Sequence, residues 1–171
     1  DATGADRVLI VDGDLPAPPG WDRVAQIDGP LPDRLTAAFT EPYSLLIGMD
    51  TPQITPGLLS MAAACLDGVD AGLGLGGVDA VLGLAEDGGW WALGLRDPAH
   101  AALLRPIATS TATTGADTLA ALRGHGLTVT LLPVLRDVDT AADARLVAAA
   151  CAPGSAFTRA VEAHLPHEVS G

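Results

Sequence analysis

The sequence predicts an α/β fold: a mainly parallel sheet with helices on both faces. Two observations carry that expectation. Short apolar runs alternate along most of the chain with segments whose apolar residues recur at helical spacing. One of these runs, Leu45-Leu46-Ile47, is apolar at consecutive positions, as a strand buried on both faces would be, and it leads through Gly48 to Asp50 and the turn Thr51-Pro52. That puts a carboxylate just beyond the carboxyl end of a central strand, the edge where open α/β sheets bind ligands. A bland alternative for Asp50, a turn cap before Thr-Pro, fits the local sequence equally well.

Along the chain, Arg7–Val11 reads as a strand, residues 12–20 as a Pro/Gly loop, and Arg23–Ile27 as a short second strand. Apolar residues at 31, 35, 38 and 39 predict a helix over Leu31–Phe39. The strand Tyr43–Ile47 comes next. Thr55-Pro56 is a helix start, with Thr as cap and Pro in the first turn, and Asp67-Gly68 is its stop. The glycine-rich stretch 69–77 lacks the spacing of a phosphate loop and reads as a connector. Val78–Leu84 and Trp90–Leu95 are strands flanking the turn 85–89. Asp97-Pro98 opens a helix to about Leu104, and the hydroxyl-rich segment 109–115 opens another to about Arg123. The strand Leu127–Leu132 comes after it. Thr140 and Asp143 have capping-box spacing ahead of a helix to about Cys151, and Ser155–Leu165 is the last helix.

Composition narrows the chemistry. The 171 residues suit one domain, expected over 1–171, with 49% hydrophobic residues for its core. Nine basic against 21 acidic residues give a formal charge of −12, which argues against a nucleic-acid or anionic-membrane surface. All the basic residues are Arg, so a Walker or Schiff-base lysine is excluded within these residues. No apolar run is long enough to span a bilayer. Cys65 and Cys151 lie in Ala-rich stretches without a CxxC partner, so they read as small buried apolar residues and a cytoplasmic location is expected. The four histidines lack metal-ligand spacing, and the serines lack a nucleophile elbow.

Three acidic groups fall after strands: Asp50, Glu86/Asp87 and Asp137/Asp139. Carboxylates that converge in one crevice repel one another and raise each other's pKa unless a cation sits between them. Mg²⁺ or Mn²⁺, hard cations with oxygen ligands, are the natural fillers. Asp50, Asp87 and Asp139 are therefore expected around one crevice at the carboxyl edge of the sheet. Gly88-Gly89 permit a tight turn and close ligand approach, and an aromatic such as Trp90 could stack on a sugar or base. Trp90 and Trp91 point to opposite faces of their strand, so at most one faces the crevice.

The blocks Ile47-Gly48-Met49-Asp50-Thr51-Pro52, Val81–Leu95 with its core Glu86-Asp87-Gly88-Gly89-Trp90-Trp91, and Leu131-Leu132-Pro133 with Asp137-Val138-Asp139-Thr140 resemble the DUF2064 family. This is a bacterial group with a glycosyltransferase-A-like, nucleotide-diphospho-sugar transferase fold. The resemblance runs from about residue 7 to 150. It implies a metal-dependent glycosyltransferase that takes a nucleotide-diphospho-sugar donor and a small-molecule acceptor. It places Asp50 at the metal and nucleotide-phosphate contact, Asp139 at a second metal contact, and the Glu86–Gly89 turn on the acceptor or sugar side. Glu86 and Asp87 are then the candidate catalytic residues, and Asp50, Gly88, Gly89 and Trp90 the candidate donor-binding ones. Related guanylyltransferases share the fold, so nucleotidyl transfer is an alternative. So is a non-catalytic binding domain.

The sequence departs from the family at several points. Leu84 stands where Pro is usual, and Ala108-Thr109-Ser110-Thr111 lacks the Trp of Trp-Ser-Thr. The fold's first strand and its basic nucleotide loop have no counterpart, and Arg7–Val11 resembles its second strand. The domain is therefore expected to be N-terminally incomplete, and the 171 residues alone are expected to show little transferase activity.

Overall fold

A computed structural model of the chain describes residues 4–68 and 77–165. Most of the stretch 69–77, expected as a connector, lies outside them. The described residues form six strands and five α-helices: β1 (Val8–Val11), β2 (Asp22–Ala25), α1 (Leu31–Ala37), β3 (Ser44–Ile47), α2 (Pro56–Asp67), β4 (Ala80–Ala85), β5 (Trp90–Leu95), α3 (Thr114–Gly124), β6 (Val129–Leu135), α4 (Ala141–Ala150) and α5 (Ala156–His164). A 3₁₀ segment, Pro98–Leu104, lies between β5 and α3.

The larger sheet has the order β3-β5-β4-β6, and β1 and β2 form a separate parallel pair. β4 and β6 are parallel, and β5 runs antiparallel to both β3 and β4. So β3, β4 and β6 all point one way. β5 opposes them because only residues 86–89 link it to β4, far too few for a parallel crossover. The α/β class expected from the sequence is the class observed, with a mixed larger sheet.

Alternating side chains send the sheet's apolar residues into two cores. On one side Leu82, Leu93 and Leu95 pack with Phe39, Leu104 and Leu122, which follow α1, end the 3₁₀ segment and lie in α3. On the other, Val81, Trp91 and Leu132 pack with Ala62 and Leu66 of α2. Helices therefore cover both faces. Leu46 packs against the first core and Leu45 against the second, which accounts for the unbroken apolar run of β3.

Local chemistry sets the boundaries. The Thr55 hydroxyl accepts from the Leu58 N–H at the start of α2, and Gly68 ends that helix in the left-handed conformation at φ 73°. β6 continues through Pro133, where the sequence suggested a stop at Leu132. Proline is tolerated there because β6 is an edge strand among the described residues and its register with β4 shifts between Leu132 and Leu135. The Asp97-Pro98 start gives a 3₁₀ segment in place of an α-helix, with the Asp97 side chain accepting from Ala99 N–H. Cys65 and Cys151 are half-buried, less enclosed than the sequence suggested, and are free thiols.

Candidate functional site

The common direction of β3, β4 and β6 decides where the acidic residues go. Asp50 follows β3, Glu86 and Asp87 follow β4, and Asp137 and Asp139 follow β6, so all five sit past the carboxyl ends of parallel strands. Two backbone bonds draw the segments together. Val138 N–H donates to the Asp50 carbonyl at 3.0 Å, and Glu86 N–H donates to the Leu135 carbonyl at 3.0 Å.

The Glu86–Gly89 turn is held from two sides. Inside it, the Gly89 N–H donates to Asp87 Oδ1 at 2.7 Å. Outside it, the Gly115 N–H donates to the Gly88 carbonyl at 2.8 Å. Gly88 sits at φ +95°, and a Cβ there would lie 2.0 Å from the Ala112 carbonyl oxygen. The glycine thus admits the backbone that precedes α3, and Asp87 is aimed by a fixed turn.

After β6 the chain reaches Arg136, Asp137 and Asp139 before entering α4. Thr140 and Asp143 form the reciprocal capping box expected from their spacing. Arg136 joins three elements. Its Nη1 donates to Asp143 Oδ1 at 3.0 Å, its Nη2 forms an ion pair with Glu86, and its carbonyl accepts from Gln53 Nε2 at 2.6 Å. The Thr140 hydroxyl and then Arg136 hold the Asp143 carboxyl below its usual range.

Glu86, Asp87, Arg136, Asp137, Asp139 and Asp143 line a cleft of about 290 Å³. Within it, carboxylate oxygens of Asp87, Asp137 and Asp139 all lie within 4.8 Å of one another. The Asp137 pKa is raised, first by burial, then by the negative charges of Asp87, Asp139 and Asp50. The set is all oxygen and rich in negative charge, the donor chemistry of a hard divalent cation, so these three aspartates could hold a metal. Nearby, on the loop after Asp50, the buried Thr51 hydroxyl and the Gln53 side-chain oxygen have no hydrogen-bond partner among the described residues.

The structure thus brings Asp87 and Asp139 together and adds Asp137, which the sequence offered only as Asp139's companion. Asp50 is outside the close triad, though near enough for its charge to act on Asp137. Glu86 faces the same cleft, ion-paired to Arg136. Trp91 is buried at 1% exposure and donates from Nε1 to the Pro133 carbonyl at 3.0 Å. Trp90 is partly buried against the core on the opposite side from Trp91. Arg136 and Asp143 carried no signal for the cleft in the sequence. A capping residue and a lone Arg are common on any surface, and only the fold turns them toward Glu86.

The sequence profile of DUF2064, described as an uncharacterized protein conserved in bacteria, matches residues 2–111. That span includes Asp50 and the Glu86–Trp91 block but ends before Asp137. No curated protein matches the chain. Among solved structures, the chain is similar to a protein from Desulfovibrio desulfuricans G20 provisionally named a nucleotide-diphospho-sugar transferase. The TM-score is 0.74 at 25% identity, covering 93% of this chain and 75% of that one. The fold is therefore that of the nucleotide-diphospho-sugar transferases, and the chain belongs to the DUF2064 family.

Proposed function

We propose that the protein is a metal-dependent glycosyltransferase domain using a nucleotide-diphospho-sugar donor, with residues 1–171 forming one glycosyltransferase-A-like unit. The observation that carries the reading is the Asp87, Asp137, Asp139 triad at the carboxyl edge of a transferase-like sheet. Asp137 and Asp139 would hold Mg²⁺ or Mn²⁺, with Asp50 near enough for its charge to act on Asp137, while Asp87, the third member of the triad, would stay free of the cation to serve the acceptor. The bound cation supplies positive charge that neutralises the departing nucleoside diphosphate.

The chain's own residues handle the acceptor. Its hydroxyl oxygen bonds to the anomeric carbon of the sugar, and the bond from that carbon to the diphosphate oxygen breaks, its electron pair leaving with the nucleotide. The hydroxyl proton passes to a carboxylate. Glu86 is already committed to Arg136, so Asp87 is the better proton acceptor. Asp87 is held for this by the Gly89 N–H, which occupies one face of Oδ1. Gly88 and Gly89 would form the backbone wall of the turn toward donor and acceptor, whereas Trp90 is partly buried against the core.

Calorimetry with the protein as its gene encodes it tests the reading. Mn²⁺ together with GDP or UDP is expected to bind more tightly than Mn²⁺ alone. Asp50→Ala should weaken the joint binding by about tenfold or more. Equal metal-dependent nucleotide binding by both proteins would remove Asp50 from the site.

A further inference from the structure

Two hydrogen bonds from the loop after β3 fall on the two peptide groups that flank Asp137. The Asp50 carbonyl accepts from Val138 N–H at 3.0 Å, and Gln53 Nε2 donates to the Arg136 carbonyl at 2.6 Å. One bond holds the peptide after Asp137 and the other the peptide before it. The first runs from backbone to backbone and asks nothing of the side chains. The second needs a side chain that reaches across to a residue 83 positions further along the chain.

Gln53 is mounted for that reach. It lies in a turn closed by Ile54 N–H on the Thr51 carbonyl at 3.2 Å, between Thr51, only 3% exposed, and the Thr55 cap of α2. Its own side chain is half-buried. The residue type suits the place as well. An amide gives an N–H donor without charge. A Lys or Arg there would set a positive charge near the carboxylates and compete with a cation. A Glu would turn a carboxylate oxygen toward the Arg136 carbonyl.

The peptide group is planar, so turning the Arg136 carbonyl turns the whole 136–137 unit and changes the φ of Asp137 with it. Asp137 is the half-buried member of the triad, whereas Asp87 and Asp139 are exposed. Its direction decides whether the three carboxylates converge. Resting on the reading of this triad as a metal site, we infer that Gln53 is a positioning residue: it aims Asp137 by holding the peptide before it, and acts on the cation through Asp137.

Mn²⁺ binding to the protein as its gene encodes it, followed by electron paramagnetic resonance of the free ion, tests the inference. Gln53→Met keeps the length of the side chain and removes the donor. It is expected to weaken Mn²⁺ binding by about tenfold, the loss usual for a partner that orients a metal ligand. A general loosening of the loops would act in any background, whereas an effect carried by Asp137 requires Asp137. In the Asp137→Ala background, Gln53→Met is therefore expected to change Mn²⁺ affinity by less than about twofold. The full loss in both backgrounds overturns the inference, as does equal binding by the wild type and Gln53→Met. A wild-type protein that takes up no Mn²⁺ is a separate result, which overturns the metal reading and this inference with it.

Discussion

Asp137 pulls in two directions. Burial and three neighbouring carboxylates raise its pKa above the ordinary 3.8, so without a cation its charged form is held at a cost to the fold. A carboxyl whose folded pKa is raised binds a proton more readily folded than unfolded, so by linkage stability falls as pH rises through that window. Removing the charge should therefore help the metal-free protein and harm the metal-bound one. Asp137→Asn is expected to raise the melting temperature in the presence of chelator at neutral pH. The same change should weaken Mn²⁺ binding by about tenfold or more. A lower melting temperature in chelator, with metal affinity intact, would show that Asp137 is an ordinary surface acid. Protons and cation compete for the wild-type residue, so Mn²⁺ affinity should begin to decline at a pH above that of an unperturbed aspartate. Calorimetric titrations across mildly acidic pH would follow that decline.

The Glu86–Gly89 turn is the element on which the site's geometry rests. An alanine at position 88 must adopt a positive φ and place its Cβ against the Ala112 carbonyl. Since the obstacle is backbone, the turn or the segment before α3 must move. Gly88→Ala is expected to cost about 3 kcal/mol in urea denaturation. A loss below about 1 kcal/mol would mean that the turn adjusts freely.

Elements of this kind were the legible part of the sequence. Apolar runs, the Thr55-Pro56 start, Gly68 and the Thr140/Asp143 pair are local signals, and they appear where the local rules put them. What the sequence hid depends on neighbours. Pro133 reads as a strand end until β6 proves to be an edge. Asp137 and Asp139 look equivalent until burial separates them. Arg136 is one of nine scattered arginines until two other elements supply its partners.

At the scale of the whole molecule, strand direction gathers the chemistry. Three loops separated by long stretches of sequence meet because β3, β4 and β6 are parallel while β5 returns between them. Two-sided burial then makes the sheet a rigid base for loops that are mostly exposed. Among the described residues no helix is long and apolar enough to cross a membrane.

Trp91 lies under this arrangement. Its indole closes on Gly83, where a Cβ would stand 2.3 Å from Cε2, and its Nε1 hydrogen bond ends on Pro133, three residues before Arg136. The chain has three tryptophans, and Trp91 is the one with 1% exposure. A shielded indole emits at shorter wavelength than one in water, so the protein carries its own optical reporter. Trp91→Phe is expected to remove the blue component of the emission. In the wild type, loading the cleft with cation should change that component's intensity through the 133–139 stretch. An emission spectrum indifferent to both changes would show that the indole and the cleft are uncoupled.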